Sequence, residues 1–139
     1  GSLIADMRSE LATITPTGAA DVTAAVIESK AATLEAIDAL ESAVKSVLAA
    51  YAQGPERALA VSVPALRLAG YVIGGWLLTK SAAIAARKLG ESGADVDFLR
   101  GKLASARFYA GHILPQAHAL ARVVSAGAAS VLEVDAAVV

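Results

Sequence analysis

His112 and His118 are the only histidines in the chain. Six residues along a helix is about 600 degrees of rotation, so the two rings point from different faces. Metal ligands or a proton-relay pair on one helix use spacings of three or four instead. Both are therefore expected to be surface or rim histidines. The carboxylates offer no general acid–base pair. Glu28 and Glu35 repeat at heptad spacing, and Glu41 precedes Lys45 by four residues, the favourable order for a helical ion pair. Gly70, Gly74 and Gly75 contain a GxxxG spacing. No strand precedes them, so a phosphate loop is excluded, and close helix packing is the expected role. Tyr71, Trp76, Phe108 and Tyr109 have the sizes of a flat-ligand box, but aromatics at helical spacing more often fill a core. On these grounds no catalytic, cofactor-binding or metal-ligating residue is assigned in this chain.

The elements that carry these residues read as helices throughout. Leu3 to Thr13 is predicted as a short helix, ended by Thr13-Ile14-Thr15-Pro16-Thr17-Gly18. A long helix follows from Ala20 to Gln53, with Ile27, Leu34, Ile37, Leu40, Val44, Val47 and Tyr51 as its apolar stripe. Gly54-Pro55 closes it, since glycine suits the C-terminal cap and proline the first turn of the next helix. That next helix is expected to continue to Leu89. Asp95 or Asp97 then caps another, with a stripe at Leu99, Leu103, Ala106, Ala110, Ile113, Ala117, Leu120 and Val124. Pro115 stands four residues after Gly111, where glycine lets the backbone bend away from the proline ring. The tail from Ala126 is expected to make a turn or two and then fray. The predicted fold is all-α: an antiparallel up-down bundle of three long helices with a short N-terminal helix. Gly1-Ser2 has the character of an expression scar. Residues 3–139 form one domain, expected to be the C-terminal fragment of a larger enzyme.

Composition sets the outer limits. The 139 residues are 56% hydrophobic and only 4% aromatic, which predicts closely spaced helices around a thin core. A net charge of -1 argues against nucleic acid as a partner. The absence of cysteine excludes disulfides and suits a cytoplasmic location. The uncharged run Leu68–Thr79 has twelve residues, where a membrane span needs about 20, so a buried core helix is expected rather than a transmembrane one.

Two phrases carry a resemblance: VPALRLAGYVIGGW at Val63–Trp76 and KLASARFYAGHILPQAHAL at Lys102–Leu120. They resemble signatures of the helical segment appended to the C-terminus of long bacterial acyl-CoA dehydrogenases, including the type acting on 3-methylmercaptopropionyl-CoA. The resemblance runs from about Ala58 to Gly127 and is only general in the helix before it. It implies a parent flavoenzyme that oxidises an acyl-CoA to the 2,3-enoyl form, with FAD taking the hydride and a glutamate the proton. Neither the catalytic-glutamate motif nor an FAD motif of that family matches any position here. FAD is thus expected in the parent, not in this chain, which is expected to be inactive alone. The expected partners are the upstream catalytic domains and a second copy in a homodimer, because Leu68–Leu78 is uncharged on every side. The rival reading is a free-standing helical interaction or membrane-surface module. Two contacts are also predicted from counting outward from the turns: Arg67 with an acid near Glu41, and Gly74 facing Gly111.

Overall fold

Alanine, leucine and small polar residues dominate the chain, and helix is the only regular structure among the described residues, 2–134, of the computed structural model. Seven helices follow in order: α1 (Leu3–Ala12), α2 (Ala20–Gln53), α3 (Pro55–Ala60), α4 (Ser62–Leu89), α5 (Val96–His112), α6 (Pro115–Ala126) and α7 (Ala129–Leu132). Their starts follow local chemistry. The Ser2 hydroxyl accepts from Ala5 N at 3.2 Å, and Asp95 accepts from Phe98 N at 3.2 Å, each taking up an orphan amide of the first turn. Of the tail expected from Ala126 to make a turn or two and then fray, α7 supplies a turn, and residues 135–139, like Gly1, lie outside the described residues.

Two of the three long helices are broken, which corrects the predicted three. Pro64 has no N–H, and its ring opposes the carbonyl of Ala60, so the chain pauses at Val61 and restarts as α4. Pro115 does the same to the carbonyl of Gly111. Ile113 and Leu114 both donate to Tyr109 O, at 2.9 and 3.0 Å, and α6 begins at the proline. The Gly111–Pro115 pair was read as a bend; it is a division into two helices.

The core lies along α2 and α4. One cluster holds the larger side chains, with Met7, Leu11, Ile37, Leu68, Val72 and Leu114 all essentially removed from solvent. The other is built largely of alanine: Ala25, Ala82, Ala85, Ala86 and Ala106, with Val26, Leu99 and Leu103. Between them Thr33 Oγ1 and Thr79 Oγ1 share a buried hydrogen bond at 3.1 Å. Gly75 supplies the notch beside this pair. A Cβ there would lie 2.9 Å from Leu114 Cδ2 and 3.1 Å from Thr33 Oγ1, so only glycine lets the three elements approach.

The stripe predicted on α2 needs correction. Ile37 and Leu40 are buried, but Ile27, Val44 and Tyr51 are exposed, and the inner face is made instead by Ala25, Val26, Ser29, Thr33, Ala36 and Ala43. Small residues bury their whole surface where helices come close; larger ones on the flank stay in solvent. The stripe predicted across α5 and α6 holds at Leu99, Leu103, Ala106, Ala110, Ala117 and Val124, with Leu114 taking the buried place read for Ile113.

α1 lies across α2 and α4. Arg8 donates to Asp38 at 2.8 Å and to Glu41 at 2.6 Å, Lys80 donates to Glu10 at 2.6 Å, and Lys30 holds the linker through Ile14 O at 3.1 Å. Glu41 therefore pairs with Arg8, not with Lys45 and not with Arg67. Arg67 is exposed and makes no ion pair among the described residues. The other acids of α2 turn to α5: Asp21 meets Arg100 at 2.9 Å and Glu28 meets Arg107 at 2.7 Å.

Candidate functional site

The residues with chemical potential are scattered. His112 is exposed and stacks on Phe108 with ring centroids 4.6 Å apart, while His118 is exposed on α6. Among the described residues no three His, Cys, Asp or Glu side chains come together as a metal site would require. Glu28 is held by both Arg107 nitrogens, at 2.7 and 3.0 Å, and Glu35 stands in solvent.

The aromatics take separate structural places. Tyr109 crosses onto α4, where its hydroxyl donates to Tyr71 O at 2.9 Å and its ring fills the space over Gly74, with Cζ 2.9 Å from where a Cβ would stand. Burial, and then the neighbouring Tyr71, raises the Tyr109 hydroxyl above its ordinary pKa, which keeps it a donor. Gly74 thus faces Tyr109, and Gly111 faces open space, so the predicted glycine–glycine crossing does not form. A tyrosine two positions from Gly111 reaches across where the backbone was expected to. Trp76 lies half-buried with Lys80 Nζ 4.7 Å from its ring centroid, an arrangement that carries a cation–π attraction. Its buried Nε1 has no partner in the structure. Phe108 is exposed, and these rings do not close around a common space.

The largest organised feature is one side of α4. Val63, Leu66, Gly70, Leu77 and Ile84 recur at steps of three, four and seven, which aligns them along the helix. Val63, Leu66 and Leu77 are 68%, 76% and 50% exposed. A Cβ on Gly70 would meet nothing within 4 Å. Nothing charged interrupts this helix between Arg67 and Lys80. By length and composition alone the 28-residue α4 could cross a membrane: its most apolar 18-residue window has a mean hydropathy of 1.3, and a third of that window is buried within the protein. Sequence reasoning found the apolarity of this helix. It could not assign the two faces, because both are apolar.

Two hollows flank the C-terminal half of α4. One of about 500 Å³ lies between α4 and the α1–α2 linker, and another of about 410 Å³ lies beyond it. Thr17 and Arg87 line both. Neither was legible in the sequence, since they arise where the linker crosses a distant helix.

The chain is 39% identical over 85 residues to 3-methylmercaptopropionyl-CoA dehydrogenase of Ruegeria pomeroyi (strain ATCC 700808 / DSM 15171 / DSS-3). That match covers 61% of this chain and 14% of the dehydrogenase's length. The model of a family described as acetyl-CoA dehydrogenase C-terminal like matches residues 3–135, nearly the whole chain and all of α1 to α7. The protein belongs to this acetyl-CoA dehydrogenase C-terminal-like family of helical domains.

Proposed function

We propose that this chain is the C-terminal helical packing and oligomerisation module of an FAD-dependent acyl-CoA dehydrogenase. The outer face of α4 carries the reading. Apolar side chains recur on one side of the helix from Val63 to Ile84, a rise of about 30 Å, and Val63, Leu66 and Leu77 there are exposed. The family match and the small share of the Ruegeria dehydrogenase that the chain spans support a module within a larger polypeptide. The parent would oxidise an acyl-CoA to the enoyl form in the cytoplasm, using FAD and a glutamate supplied by preceding domains. In this reading 3–139 is one domain and Gly1-Ser2 a scar. The bundle is up-down and antiparallel in its main helices, and its partners are the catalytic domains and a second copy. Gly18 lying against Ala86 and Thr33 against Thr79 support opposite senses for α2 and α4.

Light scattering on the size-excluded chain at high concentration tests the oligomer. A dimer mass is expected, reverting to monomer in the double variant Leu66→Asp/Leu77→Asp; a monomer mass for the unaltered chain overturns self-pairing. The gene upstream of Leu3 tests the parent, and a start codon there in place of an acyl-CoA dehydrogenase core removes it. Visible spectra after desalting from excess FAD test the division of labour, with no flavin expected to remain. The length and hydropathy of α4 favour one rival, a membrane-surface module. Flotation of the chain with anionic vesicles would replace the dimer reading with that one.

A further inference from the structure

We propose that the hollow between the α1–α2 linker and α4 binds an aliphatic monocarboxylate of about six to eight carbons, with Arg87 holding the carboxylate. This inference stands apart from the assignment of a parent enzyme. The hollow measures about 500 Å³, within the range of about 300 to 1,000 Å³ in which small-molecule sites fall. Its two ends are cationic and its floor is apolar. Lys80 and Arg87 are seven residues apart on α4, which places them about 10 Å apart along the axis and on nearly the same side. Ala83 and Ile84 lie between them, and Ile14 faces them from the linker.

The charges at the two ends are not equivalent. Lys80 is neutralised by Glu10 at 2.6 Å and lies over Trp76. Arg87, Thr15 and Thr17 stand exposed at the rim of the hollow, and none of their side chains makes an ion pair or hydrogen bond among the described residues. The site therefore has one uncompensated cation, a planar fork of donors, and two hydroxyls. A carboxylate matches that set: it accepts two parallel bonds from a guanidinium and carries one negative charge. A phosphate dianion would leave charge unmatched, because the second cation is already engaged. From Arg87 the apolar floor runs toward Lys80, where a short alkyl chain lies over Ala83 and Ile84 and ends against the neutralised pair. A chain of about six to eight carbons covers the rise of two helical turns.

Octanoate titrated into the isotope-labelled chain tests this by amide shifts. A saturable response at Thr15, Thr17, Ala83 and Arg87 is expected, weakened by about tenfold or more in Arg87→Gln as a charge-assisted pair is lost. The exposed Arg122→Gln variant should bind as the unaltered chain does, and Ala83→Leu should weaken binding by filling the floor. Octanol and inorganic phosphate should give no saturable shifts over the same range. Equal binding of octanol would make the hollow merely apolar, and equal binding of phosphate would make it an anion site without a chain. Either result overturns the proposal, as does unchanged octanoate affinity in Arg87→Gln or the absence of saturation in the unaltered chain. Melting curves of the variants keep a folding defect from being read as lost binding.

Discussion

The two sides of α4 are both apolar, yet one is core and the other is bare. The inner side carries Leu68, Val72, Gly75, Thr79, Ala82 and Ala86, all buried. The outer side carries Val63, Leu66, Gly70, Leu77 and Ile84, all exposed. What separates them is fit. Each inner residue is matched in size to something opposite: Gly75 to Leu114, Thr79 to Thr33, and the alanines to the tight approach of α2 and α5. Apart from Gly70, the outer residues are large, and Val63, Leu66 and Leu77 remain at least half exposed. Hydropathy alone therefore does not tell inside from outside in this helix, and small side chains do so better.

The sharpest way to break this comparison is to truncate one leucine on each side. Leu68→Ala should cost about 2 to 5 kcal/mol, because the side chain is fully buried and leaves a cavity. Leu66→Ala, measured at a dilution that leaves the chain monomeric, should stay within about 0.5 kcal/mol, as an exposed position does. Equal losses in urea denaturation would mean the outer face is already covered in the folded chain. Enlarging the inner side comes next. Ala82→Leu should cost about 1 to 3 kcal/mol by overpacking the alanine cluster, read as a lowered denaturation midpoint.

The threonine pair then separates polarity from shape. Thr33→Val or Thr79→Val alone leaves one buried hydroxyl without its partner and should cost about 1 to 3 kcal/mol. The double variant should recover most of that loss, since no orphan remains. Simple additivity in a double-mutant cycle would show that the hydroxyls find other partners.

A gain is expected at Gly111. It sits inside helix with nothing near a Cβ, so Gly111→Ala should stabilise by up to about 1 kcal/mol, visible as a higher melting temperature. The same change at Gly74 must displace Tyr109 and break its bond to Tyr71 O, and should lower the melting temperature instead.

The smallest effect belongs to the surface. Arg100 donates a hydrogen bond to Asp21 and so holds its carboxyl below the usual value, against an opposing desolvation. A depressed folded pKa contributes stability above the unfolded carboxylate value, near about 3.9, and loses it as pH falls through the folded one. Arg100→Gln should therefore differ slightly from the unaltered chain at pH 7 and converge with it below about pH 4. A difference that persists at pH 2 would assign the effect to packing of the arginine stem.

Much of this was legible in the sequence where one residue decides locally. Gly54-Pro55 divides α2 from α3, Asp95 caps α5, and Gly90 follows the last residue of α4, all as the residue types predict. The break at Val61 was missed because Pro64 falls in an otherwise helical run, and a proline in a first turn marks a start only if the chain before it has already turned. The α2 face was misread for another reason. Stripe reading weights large apolar residues, while this bundle buries alanine, serine and threonine along its closest contacts. Partners across space were the least accessible. Arg8 took Glu41 because α1 crosses the bundle, and counting outward from the α2–α3 turn has no way to place a helix from before it. The hollow beside Arg87 was hidden by the same crossing.

The seat of Leu114 over Gly75 has a mechanical consequence. Sliding α4 by one turn, about 5.4 Å, would bring Tyr71 or Thr79 beneath that leucine, and neither leaves room for it. Thr33 of α2 borders the same notch, so a single side chain stops translation between three helices. A push applied along α4 is therefore expected to carry α2 and α6 with it.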